Sequence, residues 1–237
     1  MGINYFIFNG EASIDYGVYV GGQMTFNAPQ RDVTKVSIPG KNGDLIKDNG
    51  KWLNVQVPYN VVIMDEFKDK ADAIKSWLTE PKGYARLEDT YHPEYFRLGR
   101  LDGTIDFETK AFNEAGKTQI TFDCKPQRFL KSGEHLEAMT QGGIIYNPTR
   151  FESKPLIRII CTGNGVVTIG TYQISVSDIS TYVDIDSEIQ DCYAGITSLN
   201  NKVTLTNGFP VLSSGRTSIA WSGSVTAVQI AGRWYTL

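Results

Sequence analysis

The sequence consists almost throughout of short segments with the composition of β-strands, separated by turns that contain glycine. In its second half, such segments recur at near-regular intervals, for example over residues 156–161, 172–176 and 224–230. Strands at this spacing, with glycine turns between them, are typical of a β-sandwich or jelly roll. Only the stretch from Asp65 to Leu78 has a helical period. The sequence therefore predicts a mainly β fold with one helix.

A junction near the middle divides the 237 residues into two β domains. One β unit ends over residues 118–130, and after a polar stretch that contains glycine another begins over residues 151–160. Domains most often have about 100 to 150 residues, so two domains of ordinary size fit this length. We predict an N-terminal β-sandwich-like domain over residues 1–130, a linker over 131–150 and a C-terminal β-sandwich over 151–237.

The helix of the N-terminal domain is predicted to be amphipathic. Asp65 can cap its start, and Pro81 prevents its continuation. Its apolar positions are Phe67, Ala71, Ile74, Trp77 and Leu78. We expect this apolar stripe to pack on the sheet. A helix that binds a partner or a membrane surface is the alternative, but the polar face balances acidic and basic residues.

Residues 23–49 differ from the rest of the N-terminal domain because they contain few apolar residues around a short strand-like run, Val33–Ile38. The turn that follows contains Gly40 and the pair Asn42-Gly43, which adopt positive φ angles at low cost. This pattern predicts an extended hairpin arm with little core of its own. An ordinary surface hairpin is the alternative.

Composition indicates a globular protein without an electrostatic footprint for nucleic acid. Hydrophobic residues make up 41% of the chain, and 26 acidic against 23 basic residues give a net charge of −3. There is no Lys/Arg run of the kind that binds phosphates. No apolar stretch approaches the roughly 20 residues of a membrane-spanning helix, and the N-terminus lacks a secretory signal pattern. We therefore expect no specific nucleic-acid partner, no membrane partner, and synthesis in the cytosol.

Residues with catalytic or metal-binding potential are sparse. The two histidines, His92 and His135, lie far apart, and the sequence contains no HxxxH, CxxC or P-loop pattern. The three cysteines, Cys124, Cys161 and Cys192, are widely spaced with apolar neighbours, which favours buried reduced thiols over a disulfide or a metal site. The sequence predicts no catalytic residue, no metal site and no cofactor, so we do not expect an enzyme.

Asp184 and Asp186 form the most suggestive acidic pair. They alternate along a predicted strand and so point to the same face. Such a pair can bind a cation or serve a glycoside hydrolase, which makes a cell-wall hydrolase one alternative. The solvated face of an edge strand is the interpretation that we favour.

Trp221 and Trp234, with Tyr193 and Tyr235, are candidates for a stacking platform for sugars. A module that binds host cell-wall glycans is therefore the main alternative function. Core and interface roles for these rings are the interpretation that we favour. Taken together, the residues indicate assembly rather than catalysis.

The order of these pieces resembles the distal tail protein family of long, non-contractile-tailed phages, particularly those that infect Gram-positive bacteria. The resemblance covers essentially the whole sequence. Each motif consists mostly of strand and turn residues, so the ordered set carries the resemblance. The motifs are, in order, Asp15–Val20, Ser37–Leu45, Phe67–Leu78, Thr121–Gln127, Phe151–Ile157, Val183–Ser187 and Phe209–Trp221.

The resemblance implies a structural hub protein of the tail tip, or baseplate. In that family the N-terminal domain forms a homo-hexameric ring, and the C-terminal domain is a galectin-like sandwich that faces outward. The implied partners are the major tail tube protein, the tail-associated tip protein and a receptor-binding protein, and the ring leaves a channel for DNA. The implied location is the virion tail tip, after synthesis in the host cytoplasm.

The resemblance also implies that the hairpin arm embraces a neighbouring subunit. The residues that we assign to this inter-subunit arm are Arg31, Val33, Val36, Ile38, Pro39, Gly40, Asn42 and Gly43. Larger family members carry inserted carbohydrate-binding modules, but no insertion is visible between Phe151 and Leu237. The sugar-binding residues of galectins are also not matched, so the galectin-like label does not by itself imply sugar binding.

Overall fold

The computed structural model describes residues 3–22, 27–64, 67–106, 108–111 and 115–237. The protein divides into two compact units. The first unit contains the residues up to Arg128 together with Leu237, and the second unit is Phe129–Thr236. Almost all regular structure in both units is β-strand. The mainly β fold that the sequence predicts is confirmed.

The first unit contains ten complete strands, one α-helix and a 3₁₀ turn among its described residues. The strands are β1 Phe6–Phe8, β2 Glu11–Ala12, β3 Val18–Val20, β4 Arg31–Ser37, β5 Asp44–Trp52, β6 Val55–Met64, β7 Ala85–Asp89, β8 Tyr95–Leu101, β9 Glu108–Ala111 and β10 Ala115–Cys124. The helix α1 is Phe67–Thr79, and the 3₁₀ turn is Ser13–Tyr16.

The main sheet of this unit has the antiparallel order β2-β1-β7-β8-β10-β6-β3, and β9 pairs with β10. Strand β6 shows why these residues form a sheet with one buried face. Its residues alternate between buried and more exposed positions, so that Val57, Tyr59, Val61 and Ile63 all lie on the core side. This period of two matches the pleat of a strand and places one apolar face on the core.

Helix α1 packs its apolar stripe on that core, as predicted. Ala71, Ile74, Trp77 and Leu78 are buried in the first unit. The proposed cap residue Asp65 and the side chain of Phe67 lie outside the described part of the protein. The helix ends at Thr79, two residues before Pro81, whose ring cannot continue a helix.

The second unit is made of strands and two short 3₁₀ turns in its described residues. Its strands are β11 Arg128–Leu130, which begins at the last residue of the first unit, β12 Glu137–Ala138, β13 Ile144–Asn147, β14 Leu156–Ile169, β15 Tyr172–Ile179, β16 Tyr182–Asp186, β17 Asp191–Ala194, β18 Thr197–Ser198, β19 Val203–Thr206, β20 Gly215–Ala231 and β21 Tyr235–Thr236. The 3₁₀ turns are Lys131–Gly133 and Asn200–Lys202.

Two long strands, β14 and β20, organise the second unit. They pair antiparallel over most of their length, within the order β12-β20-β14-β16-β17-β18. The sequence indicates a turn at Gly163-Asn164-Gly165, but β14 continues through these residues with a shift of register. Gly165 permits this continuation because a Cβ there would collide with Val225 of β20. Residues 156–161 and 165–169, which this expected turn would separate into two strands, are therefore one strand.

Residues 131–150, predicted as a linker, contain two of these strands. Both pair with β20: Glu137 lies opposite Ile230 in β12, and Ile144 lies opposite Ser218 in β13. The second unit therefore begins earlier in the sequence than the predicted boundary at residue 151. The reason is that the polar and glycine residues of this stretch are interrupted by Ile144-Ile145-Tyr146, which suffices for a short strand beside a long one.

Candidate interaction surface

The β4–β5 hairpin (Arg31–Trp52) is the most distinctive surface feature of the first unit. Its two strands form a two-stranded sheet of their own, separate from the main sheet. Every residue from Thr34 to Lys51 is exposed. An isolated two-stranded hairpin is at best marginally stable in water, because it buries little apolar surface. The hairpin is therefore a segment that gains stability when something covers it.

The turn of the hairpin is specified by its sequence. The Lys41 N–H donates a hydrogen bond to the Ile38 carbonyl at 3.1 Å, which closes a β-turn over four residues. Pro39 and Gly40 occupy its two central positions, and Gly40 has a φ of +77°. Proline followed by a residue of positive φ is the pattern of a type II turn. Pro39 and Gly40, which the sequence predicts to lie in a turn, therefore do form one.

The half of the hairpin near the turn carries exposed apolar side chains. Val36 lies directly opposite Leu45 in the register of the two strands, so their side chains share one face. Leu45 is 57% exposed, and Ile46, on the other face, is 62% exposed. Of the predicted arm residues, Ile38 adds to this apolar surface. Sequence reasoning missed Leu45 and Ile46, although two adjacent apolar residues directly after a glycine turn were the available signal.

The half of the hairpin near its base is polar and internally bonded. Arg31 Nε donates to Asp48 Oδ2 at 2.7 Å, and the Arg31 guanidinium stacks over Trp52. The Gly50 N–H, donating to Asp48 Oδ1, and the Arg31 hydrogen bond lower the pKa of Asp48 below its ordinary value. Lys51 pairs with Asp32. Arg31, predicted as part of the arm, therefore acts within the hairpin, and the free apolar surface belongs to the other half.

Asp184 and Asp186 do not form the solvated acidic face that we predicted. Strand β16 is paired on both sides, with β14 and β17, and both carboxylates are buried. Arg158 binds Asp184 through two hydrogen bonds of 2.7 Å. Arg233 binds Asp186 through two bonds of 2.7 and 2.8 Å. Each acid is thus engaged by its own guanidinium, and the two do not form a carboxylate pair open to a cation or a substrate.

The two tryptophans do not form an exposed sugar platform. Trp234 is buried in the core of the second unit, 6% exposed, and a Cβ added to Gly133 would lie 2.6 Å from its ring. Trp221 is partly buried and packs against the same core, and its backbone N–H donates to Gln141 Oε1 at 3.0 Å. A stacking platform needs rings whose faces reach the solvent. The core role is therefore the correct one for Trp234.

The three cysteines are buried and free, as predicted. Burial raises the pKa of Cys124 to about 12 and that of Cys192 to about 11, and it also raises the pKa of Cys161. At neutral pH all three are therefore protonated, and thiols react as thiolates.

We expect a water-soluble aromatic disulfide to modify none of the three thiols of the native protein at neutral pH on the time scale of minutes. In concentrated denaturant, all three should react at once. The absorbance of the released aromatic thiol measures the extent of reaction in native buffer and in denaturant. Rapid release in native buffer would contradict the burial of these residues.

Metal sites and membrane-spanning helices were sought among the described residues. No group of three or more His, Cys, Asp or Glu side chains within the described ranges is arranged to hold a metal ion. The helices in this part of the protein are also too short or too polar to cross a membrane.

The fold of this protein is similar to that of chains in solved structures of phage proteins. The structure of the Dit (gp 19.1) protein of phage SPP1 is similar over 100% of both chains, with a TM-score of 0.78 and 12% sequence identity. The baseplate of phage P2 in its activated conformation, with Ca or with Sr, contains chains similar over 97% of both lengths, with TM-scores of 0.55 and 0.54. The likeness is one of fold.

Comparisons of sequence are less extensive. No family model matches the protein. The DNA mismatch repair proteins MutS of Methanosarcina barkeri and Methanosarcina mazei are 27% identical over 125 residues. This match spans 52% of the present sequence but only 14% of the length of these relatives.

Proposed function

We propose that the protein is a structural hub of a phage tail tip. The observation that carries this proposal is the similarity of fold, over the full length of both chains, to the SPP1 Dit protein, which is described as a hub of the adsorption apparatus in phages that infect Gram-positive bacteria. An assembly role also fits the β4–β5 hairpin, which is exposed and forms a sheet separate from the main sheet of the first unit. The match to MutS supports no separate proposal, since it spans 14% of those proteins.

In this proposal, copies of the protein assemble into a hexameric ring with a central channel for DNA. A contact between two different surface patches repeats from copy to copy and closes into a ring if the rotation permits. The β4–β5 hairpin supplies one patch. Its Val36–Leu45 pair and Ile46 are large apolar side chains without cover, and their burial against a neighbouring copy contributes favourable free energy of about 25 cal/mol per Å².

The ring binds the major tail tube protein on one face and the tail-associated tip protein on the other, with the receptor-binding protein attached nearby. These partners place the protein at the virion tail tip, after synthesis in the host cytoplasm. A net charge of −3 suits a channel for DNA, because like charge reduces adhesion of phosphates. The role is structural, and no catalytic step is assigned to the protein.

The hairpin contact predicts a defect in assembly when its apolar pair is made acidic. We expect Val36→Asp with Leu45→Asp to weaken self-association by about 100-fold, because each central interface residue that is lost costs about 1–2 kcal/mol. Size-exclusion chromatography with light scattering measures the shift from ring to monomer, and negative-stain images show whether rings remain.

A control is Ile196→Asp, which adds one negative charge at a fully exposed apolar residue of the second unit. This variant should assemble like the wild type. If the double variant assembles equally well, the hairpin is not the contact. If the wild type stays monomeric at high concentration and binds no tail tube or tip protein, the hub proposal itself fails.

A further inference from the structure

The protein has five Asn-Gly pairs, and their surroundings in the structure differ. In such a pair the glycine nitrogen is adjacent to the asparagine side chain, and the glycine has no side chain of its own to block the approach of the two groups. All five asparagines are exposed. The pairs are Asn9-Gly10, Asn42-Gly43, Asn49-Gly50, Asn164-Gly165 and Asn207-Gly208.

Three of the five asparagine side chains are held by hydrogen bonds. Asn49 Nδ2 donates to Asp32 Oδ1 at 3.1 Å and to Thr34 Oγ1 at 3.2 Å. Asn164 Oδ1 accepts the N–H of Asp178 at 2.9 Å. These bonds hold each side-chain amide in one orientation. The amide therefore cannot rotate freely toward the nitrogen of the following glycine.

Asn207 is the third, since its Nδ2 donates to the Thr171 carbonyl at 2.9 Å, and its backbone has a φ of 69°. Asn9 is held by its backbone instead. With Gly10 it forms the two-residue turn between β1 and β2, with φ angles of 53° and 89°, and its N–H donates to the Arg86 carbonyl. Positive φ at both positions defines a tight hairpin turn with little freedom.

Asn42 has neither the side-chain hydrogen bonds of Asn49, Asn164 and Asn207 nor the tight turn that holds Asn9. It lies between strands β4 and β5, in the part of the turn that follows the Ile38–Lys41 hydrogen bond. Its side chain has no hydrogen-bond partner among the described residues, and its φ is not positive. Gly43 is also exposed, with open space around its Cα. The reacting atoms at Asn42 are therefore both accessible and free to move.

We propose that Asn42 is the preferred site of spontaneous deamidation in this protein. The Gly43 nitrogen attacks Cγ, the amide carbon of the Asn42 side chain, and a new C–N bond forms. The bond from Cγ to Nδ2 breaks, so that ammonia leaves with the Gly43 amide proton, and the product is a cyclic succinimide. Water then attacks one of the two carbonyl carbons of the ring and breaks its bond to the Gly43 nitrogen, which gives aspartate when Cγ is attacked and isoaspartate when the backbone carbonyl carbon is attacked. Water is the only co-reactant, and no oxidant is needed.

The consequence rests on the proposed function of the β4–β5 hairpin. Deamidation adds one negative charge two residues before Asp44 and close to the apolar half of the hairpin. Isoaspartate also adds a backbone carbon, which disturbs the register of Ser37 with Asp44. An unassembled copy therefore loses its competence to join a ring with time, whereas a copy whose hairpin is covered keeps its amide.

Peptide mass spectrometry of the full-length protein, aged at mildly alkaline pH and sampled over days, tests the site. We expect Asn42 to lose its amide roughly tenfold or more faster than Asn49, because attack at Asn49 requires two hydrogen bonds and strand pairing to open first. Asn42→Gln should abolish modification at residue 42 and leave the other four rates unchanged. An intact Asn42 in a protein deamidated elsewhere overturns the proposal.

The consequence has its own readout. Asn42→Asp should associate more weakly than Asn42→Gln in light scattering, and rings purified from an aged sample should retain the Asn42 amide while the monomer fraction has lost it. Equal association of the two variants, or equal modification in ring and monomer, contradicts the effect on assembly but leaves the site established. A wild type that is monomeric when fresh refutes the proposed function and not the site.

Discussion

Replacing Trp77 by alanine is expected to destabilise the first unit by about 3–5 kcal/mol, as for other large-to-small substitutions of core aromatics. The Trp77 ring stacks on Tyr16 with centroids 4.5 Å apart and on Phe6 at 5.7 Å, and its Nε1–H donates to the Phe8 carbonyl at 3.2 Å. Alanine would leave a cavity between helix and sheet and remove the hydrogen bond to the Phe8 carbonyl. Urea unfolding of the full-length protein, followed by far-ultraviolet circular dichroism, measures the loss.

The neighbouring helix residue provides the control. Ser76→Ala changes an exposed side chain of the same helix to the same residue, and we expect an effect within about 0.5 kcal/mol. Trp77→Phe keeps part of the stacking but not the hydrogen bond, so its loss should be intermediate. A destabilisation by Trp77→Ala no larger than that of Ser76→Ala would show that the helix does not anchor the core of the first unit.

Arg233→Met is expected to destabilise the second unit by about 2–3 kcal/mol. It removes the guanidinium from Asp186, whose side chain is 7% exposed, and leaves a buried charge with only two N–H donors, those of Glu188 and Ile189. Breaking fully buried pairs costs about 3–5 kcal/mol. The smaller figure allows for the 31% exposure of the Arg233 side chain, which lets water screen the pair. Urea unfolding measures the loss.

Adding Asp186→Asn to Arg233→Met tests the cause. If the cost comes from the unpaired carboxylate, the double variant is more stable than Arg233→Met alone, because the amide is neutral and its oxygen still accepts the two N–H bonds. If the double variant is less stable, then the loss at residue 233 arises from packing and not from charge. The two outcomes separate an electrostatic from a steric role of Arg233.

The same pair predicts a dependence on pH. Burial acts to raise the pKa of Asp186, but the hydrogen bonds and charge of Arg233 and the two N–H donors outweigh it, so the pKa lies below its ordinary value. The stabilisation is therefore complete above the unfolded pKa of about 3.9 and is lost as the pH falls through the lower folded value. In Arg233→Met, burial dominates and the pKa rises. We expect the stability difference between variant and wild type to be large at pH 7 and to shrink toward pH 4.

Local patterns in the sequence predicted the features that depend on neighbours along the backbone. The helix follows from apolar residues at helical spacing before Pro81, and the turn of the β4–β5 hairpin follows from Pro39-Gly40. The burial of the cysteines follows from apolar neighbours such as Ile159-Ile160. In each case the residues that determine the structure are those that the pattern contains.

The features that sequence reasoning misjudged depend on residues far away in the sequence. From the sequence, Asp184 and Asp186 look like part of a solvated edge strand. Their partners, Arg158 and Arg233, lie 26 and 47 residues away and are not visible in the local pattern. Pairing across a sheet is set by topology, and alternation along one strand gives no information on which residue lies opposite.

The pairing of β20 has a consequence for the order of folding during synthesis. Strands β12 and β13 leave the ribosome long before β20, which is their partner. Ile144 and Ile145 of β13 therefore stay unpaired while most of the second unit is synthesised. Contacts between residues distant in sequence form slowly. The first unit, whose pairs β6–β10 and β7–β8 are complete by Cys124, can fold meanwhile. The time of greatest exposure to aggregation and to chaperones is therefore the interval between the synthesis of β13 and that of β20.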